Sequence, residues 1–153
     1  MTANEIRSIL APLTDAHVLL PNSAVAELLS FTSPEPFKQG PPWLLGEMVW
    51  CGWQVPVISY EQLVNGSDSN TVTSKARILI VKTLGESTQL NYIGLVIQGL
   101  PKLKKITADT LIEAQTEELP GPVFSTVTID DVTAFIPELG DLTLRVEEAA
   151  YNN

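Results

Sequence analysis

The side chains that most often perform catalysis at neutral pH are scarce in this sequence. Its 153 residues include one histidine, His17, and one cysteine, Cys51. A nucleophilic cysteine needs a base within hydrogen-bond reach and surroundings that favour the thiolate, and the sequence indicates neither for Cys51. His17 precedes Val18-Leu19-Leu20 in an expected strand, where a structural or surface histidine is far commoner than a catalytic one. An enzyme would have to depend on these two residues, so we expect that the protein is not an enzyme.

Metal ions and phosphate groups also lack the ligand patterns that they require. Transition-metal sites use several His or Cys ligands, and the chain has one of each. The segment Asp68-Ser69-Asn70-Thr71-Val72 departs from the calcium-loop pattern at its third ligand position. Leu84-Gly85-Glu86 and Ile93-Gly94-Leu95 carry lone glycines rather than the multi-glycine loop that cradles a pyrophosphate. We therefore expect no metal and no cofactor.

Charge limits the classes of partner. With 9 Lys+Arg against 18 Asp+Glu the net charge is −9, which opposes binding to nucleic acid or to an anionic membrane surface. The strongest apolar runs, 78–81 and 93–97, are far shorter than the ~20 residues of a membrane span, and residues 1–7 lack a signal-peptide pattern. We therefore expect a cytoplasmic protein. The one basic cluster, Lys102, Lys104 and Lys105, is typical of a protected strand edge, with a docking patch as the alternative.

Short β-rich segments, separated by Pro, Gly, Asn or Asp, fill most of the chain. Helical turns are expected at 24–28 and 108–114, and a final helix at 141–151. We expect a single domain over residues 1–153, in which a polar linker at 65–74 divides a first barrel, at about 5–64, from a second, at about 75–138. The predicted strands are 6–13, 17–20, 29–32, 47–51, 54–58, 77–83, 90–98, 100–106, 123–129 and 132–136.

Large apolar side chains are concentrated in the first half of the chain. A place in the core is the default for each of them, but Trp53 falls at the expected turn between strands 47–51 and 54–58. Exposed aromatic residues at rigid turns commonly anchor protein partners. A binding barrel with a cleft for a small molecule near Trp43, Trp50 and Trp53 is the alternative. The full set is Val25, Phe31, Phe37, Trp43, Trp50 and Trp53.

Four segments carry a family resemblance. They are Val18-Leu19-Leu20-Pro21, Val25-Ala26-Glu27-Leu28-Leu29, Pro42-Trp43-Leu44-Leu45-Gly46 and Gly52-Trp53-Gln54-Val55-Pro56-Val57-Ile58. Together they resemble the CheW-like domain of bacterial chemotaxis coupling proteins, and the second half of the chain looks like the family's second barrel. The resemblance implies a mainly β fold of two five-stranded, SH3-like barrels around a shared core. It also implies a non-enzymatic adaptor that couples the cytoplasmic tip of a chemoreceptor to the regulatory domain of a CheA-type histidine kinase.

The chain departs from the family pattern at one informative position. Coupling proteins usually read Asn-Leu-Arg-Gly where this chain reads Val49-Trp50-Cys51-Gly52, so a thiol replaces a guanidinium that can donate several hydrogen bonds. The resemblance implies a receptor-facing surface of Val25, Glu27, Cys51 and Gly52, to which we add Trp53, and a kinase contact on the second barrel. Without an arginine at position 51, Glu27 loses its expected partner. A divergent, accessory coupling protein of a pilus-based twitching system is therefore expected.

Overall fold

The computed structural model describes residues 6–66, 73–83, 90–107, 112–113, 123–129 and 131–151. Within these ranges the chain forms short strands, two α-helices and one 3-10 turn at Asn22–Ala24. The strands are β1 Ile6–Pro12, β2 His17–Pro21, β3 Val25–Ser30, β4 Leu44–Trp50, β5 Trp53–Ile58, β6 Arg77–Lys82, β7 Tyr92–Ile97, β8 Lys102–Ile106, β9 Ile112–Glu113, β10 Val123–Ile129 and β11 Val132–Pro137, and the helices are α1 Tyr60–Asn65 and α2 Leu139–Tyr151.

The strands form two sheets. Sheet 1 has the order β8-β1-β2-β11-β10-β9, and sheet 2 has the order β3-β6-β7-β5-β4. Neighbouring strands are antiparallel except for β2 with β11 and β5 with β7. The prediction of a mainly β fold with a C-terminal helix is confirmed. Sheet 1 has a sixth strand because the two-residue β9 pairs with β10 at its edge.

The predicted division into two successive barrels does not match the strand order. The chain begins sheet 1 with β1 and β2, builds all of sheet 2 with β3 to β7, and then returns to sheet 1. The division into 5–64 and 75–138 therefore cuts through both sheets, and the stretch at 65–74 connects two parts of sheet 2. The error has a physical cause, because local patterns identify strands but do not identify which distant strands they pair with.

Three local predictions also differ from the structure. Val25 begins a strand instead of continuing a helical turn over 24–28, because β3 pairs along β6, with Val25 opposite Val81. The final helix begins at Leu139, two residues before the predicted start. The predicted helical turn at 108–114 lies outside the described residues except for Ile112–Glu113, which form strand β9.

Alternation along the strands places the two sheets around one shared core. In β2, Val18 and Leu20 point into the shared core, whereas Leu19 belongs to a second cluster on the other face of sheet 1. This follows from the two-residue period of strand side chains. Sheet 2 contributes to the shared core through residues such as Leu95, and a third cluster fills its other face. Helix α2 completes the shared core with buried residues that include Leu142.

A short helix links the two sheets. Helix α1 follows β5 of sheet 2, with the Ser59 side chain accepting a hydrogen bond from the Gln62 amide at 3.3 Å as its N-cap. The buried Glu61 carboxylate accepts hydrogen bonds from the amides of Thr14 at 2.9 Å and Asp15 at 2.7 Å. Since these amides lie in the turn between β1 and β2 of sheet 1, Glu61 fixes one sheet to the other.

Candidate functional site

The tip of the β4–β5 hairpin presents Cys51 and Gly52 to solvent. These residues have φ values of 49° and 81°, and the flanking residues Trp50 and Trp53 pair across the strands. Positive φ at both central residues is the signature of a type I′ turn, whose twist matches that of the strands. Glycine adopts this conformation readily, whereas it is uncommon for cysteine. The turn therefore holds the thiol and both indoles in defined positions.

An aromatic cluster supports this tip. Tyr92 at the start of β7 makes edge-to-face contacts with Trp50, at a ring-centroid distance of 4.8 Å, and with Trp53, at 5.6 Å. Trp50 packs against the core of sheet 2, whereas Trp53 remains 44% exposed. Trp53 is therefore an exposed indole on a braced hairpin, which is the arrangement expected of a rigid anchor for a protein partner.

The remaining candidate residues, Val25 and Glu27, lie on β3. This strand is at the opposite edge of sheet 2 from β4, so the five candidates form two groups. The registers also separate the groups along the sheet, because Glu27 is opposite Ile80 of β6, Ile80 is opposite Gly94 of β7, and Gly94 is opposite Val57, four residues from Trp53. The structure thus brings Cys51, Gly52 and Trp53 together, and sets Val25 and Glu27 apart from them.

The two β3 residues differ in their surroundings. Val25 is half-buried and packs against the shared core. Glu27 is exposed, and within the described part of the chain its carboxylate forms no ion pair with Cys51's hairpin or with any other element. Leu28, beside it, is 37% exposed, and Val49 near the hairpin tip is 71% exposed. Apolar side chains therefore accompany both groups of candidate residues.

The three tryptophans do not line one cleft. Trp43 packs against the shared core, Trp50 packs against the separate core of sheet 2, and Trp53 faces solvent. The proposed cleft for a small molecule between them is therefore wrong. Trp53 instead borders an open groove that also involves Tyr151 at the end of helix α2.

Two aromatic residues of this region, Tyr92 and Tyr151, were not among the candidates predicted from the sequence. The Tyr151 hydroxyl donates a hydrogen bond to Glu47 Oε2 at 2.8 Å, and its ring contacts Phe37 edge to face. Burial, together with the neighbouring Glu47 carboxylate, raises the pKa of Tyr151 above its usual value. No local signal marks either tyrosine, since both reach the hairpin region only through long-range packing.

The residues considered for catalysis lie apart. His17 is on β2 of sheet 1, whereas Cys51 is at the hairpin tip of sheet 2. Burial, and to a smaller extent the positive charge of Lys102, lower the pKa of His17. Among the residues that the structure describes, no group of three His, Cys, Asp or Glu side chains could hold a metal ion. No helix in the described ranges is long and apolar enough to cross a membrane.

Comparison with known proteins identifies the family. A model of the CheW-like domain matches residues 7–146, so the chain belongs to the CheW-like domain family. It is therefore a non-enzymatic scaffold of chemotaxis signalling, of the class that couples receptors to a CheA-type kinase. The crystal structure of scaffolding protein TtCheW from Thermoanaerobacter tengcongensis is similar in fold, with a TM-score of 0.74 at 18% identity over 91% of this chain and 88% of that chain. No curated protein matches the chain.

Proposed function

We propose that this protein is a cytoplasmic adaptor that holds a chemoreceptor's cytoplasmic tip and the regulatory domain of a CheA-type histidine kinase in a fixed relative position. The match to the CheW-like domain over residues 7–146 carries the proposal. The shared core between the two sheets supports it. Two binding surfaces on one rigid body hold the two bound partners at a fixed distance and orientation. Signalling then depends on which partners are bound and how they are oriented.

The receptor-facing surface comprises Val25, Glu27, Cys51 and Gly52, with Trp53 as its aromatic anchor. Two observations support this assignment: Trp53 is exposed on a hairpin that Tyr92 contacts, and Glu27 is exposed on β3. Burying a rigid indole yields much binding energy at a low cost in conformational entropy. Trp53 therefore contributes most to the affinity for the receptor.

Cysteine at position 51 changes the way in which this surface binds. A thiol is a weak donor and cannot form the paired hydrogen bonds that a guanidinium gives to a carboxylate. The Glu27 carboxylate is exposed and has no ion pair within the described residues, so it is available to a cationic group of the partner. We infer that this adaptor recognises a receptor with a basic group, and we propose that it is the accessory coupling protein of a pilus-based twitching system.

The kinase contact lies on the other sheet. Of the strands within the expected second barrel, β8, β10 and β11 belong to sheet 1, whereas β6 and β7 belong to sheet 2. We assign the kinase contact to the strands of sheet 1, which carry none of the receptor-facing candidates. The receptor-facing candidates all lie in sheet 2, and the shared core lies between the two sheets. A kinase domain on sheet 1 and a receptor on sheet 2 can therefore bind at the same time.

Binding measurements with the purified chain test the proposal. The partners are the kinase regulatory domain and a receptor cytoplasmic fragment from the same organism, taken from its flagellar and its pilus-linked systems. We expect Trp53→Ala and Glu27→Arg to weaken receptor binding at least about tenfold, equivalent to about 1.4 kcal/mol, and to leave kinase binding unchanged.

Two variants on helix α2 serve as matched controls. Leu144→Ala removes another exposed apolar side chain, and Glu148→Arg reverses another exposed charge. Both controls should retain the affinity of the wild-type chain. Failure of the folded chain to bind any kinase domain or receptor fragment would contradict the adaptor function. Equal effects of the candidate and control variants would contradict only the assigned receptor surface. Binding confined to flagellar partners would contradict the pilus assignment.

A further inference from the structure

A pocket of about 310 Å³ opens on sheet 1, away from the hairpin of sheet 2. It lies where the end of β1, the start of β2, the start of β11 and strand β8 meet. Its volume is at the lower end of the range for cavities that bind small molecules. The described residues that line the pocket are Leu10, Pro12, His17, Leu100, Lys102, Lys104 and Val132.

The lining combines an apolar floor with a basic rim. Leu10 is 5% exposed and belongs to the core of sheet 1, and Pro12 and Val132 extend the apolar surface. Two lysines and His17 supply the polar groups, and none of the described lining residues is acidic. Cationic residues are scarce in this chain, which has 9 Lys+Arg and a net charge of −9. Two lysines beside one pocket therefore make this part of the surface more positive than the chain is on average.

The positive charge of Lys102 affects a neighbouring residue of the pocket lining, His17. His17 is partly buried in the lining, and its pKa is lowered first by burial and then by the charge of Lys102. Lys102 forms no ion pair with any described residue. An anion placed beside Lys102 would therefore gain a favourable interaction with an ammonium group that no described residue neutralises.

We propose that this pocket binds a small organic anion with an apolar body, such as a short-chain or medium-chain carboxylate. The apolar part would lie on Leu10, Pro12 and Val132, and the carboxylate would accept a charge-assisted hydrogen bond from Lys102. Apolar contact supplies part of the affinity, and the lysine distinguishes an anion from a neutral molecule of the same shape. The site goes beyond the adaptor function, because it requires neither the receptor nor the kinase.

The sole histidine provides a direct probe of the pocket. In a one-dimensional proton NMR spectrum the imidazole signals of His17 are the only ones from a native histidine. We expect them to shift saturably on titration with octanoate, and to shift much less with 1-octanol, which has a similar chain without the charge. Lys102→Gln should weaken octanoate binding about tenfold.

Lys38→Gln is the matched control, because it removes an exposed lysine outside the pocket. This variant should bind octanoate like the wild-type chain. Absence of a saturable His17 shift with octanoate would overturn the proposal. An equal response to octanol would also overturn it, since the site would then recognise only apolar surface. Equal weakening by both lysine substitutions would do the same, because binding would then follow net charge alone.

Discussion

Replacement of Glu61 by glutamine tests whether a single buried carboxylate holds the two sheets together. Glu61 is 4% exposed and lies in the first turn of helix α1. Its two carboxylate oxygens accept hydrogen bonds from the backbone amides of Thr14 at 2.9 Å and Asp15 at 2.7 Å. Glutamine has nearly the same shape but keeps only one acceptor oxygen, and its NH2 group would face an amide donor. One hydrogen bond is therefore lost, and a donor is left without a partner.

The expected cost follows from these contacts. A hydrogen bond to a charged group contributes about 1.5–3 kcal/mol, and an unsatisfied buried donor adds a penalty of its own, so we expect Glu61→Gln to lower the free energy of unfolding by about 2–4 kcal/mol. For a chain of this size each kcal/mol lowers Tm by about 2–4 °C. Tm should therefore fall by about 4–16 °C.

Urea denaturation and thermal unfolding, both followed by circular dichroism, measure this change. The matched control is Glu148→Gln, an exposed glutamate on helix α2, which should stay within about 0.5 kcal/mol of the wild-type chain. A similarly small effect of Glu61→Gln would refute the reasoning, since the amides of the β1–β2 turn would then be equally well satisfied without the carboxylate. A large effect of both substitutions would refute it as well.

Three further substitutions test local features of the hairpin and its surroundings by the same unfolding measurements. Gly46→Ala should cost about 1–3 kcal/mol, because a Cβ there would lie 2.5 Å from the Glu35 carbonyl oxygen; an unchanged Tm would contradict this close approach. Cys51→Asn should raise stability by up to about 1 kcal/mol, because asparagine adopts a φ near 49° more readily; a loss of stability would argue against the turn type. Tyr151→Phe should cost about 1 kcal/mol by removing the 2.8 Å hydrogen bond to Glu47, and no change would show that this bond contributes nothing.

The sequence predicted the elements better than their arrangement. The strands of the hairpin were placed within a few residues, because alternating apolar residues flank Gly52 on both sides. Helix α1 was missed, although Ser59 before it and Gly66 after it, with φ 64°, are recognisable start and stop signals. The return of the chain to sheet 1 could not be predicted, since the pairings of β8 with β1 and of β11 with β2 depend on contacts between distant segments.

The candidate site was predicted only in part for the same reason. Exposure of Trp53 follows from its place at a turn, and the structure agrees with that expectation. The separation of Glu27 from Cys51 depends on the strand order of sheet 2, which no local pattern encodes. Tyr92 supports Trp53 across a strand pairing that joins distant parts of the chain. The roles assigned to these residues remain predictions until binding is measured.

The path of the chain explains how such a protein can hold two bound partners in a fixed relative orientation. Because the chain leaves sheet 1 after β2 and returns to it at β8, sheet 2 is one continuous segment inserted between two parts of sheet 1. Val18 of sheet 1 and Leu95 of sheet 2 are fully buried in the same core, and Glu61 adds a polar link beside it. One sheet can therefore rotate against the other only by opening this core. A partner bound to either sheet is positioned by packing rather than by a linker, so relative orientation is a property of the fold itself.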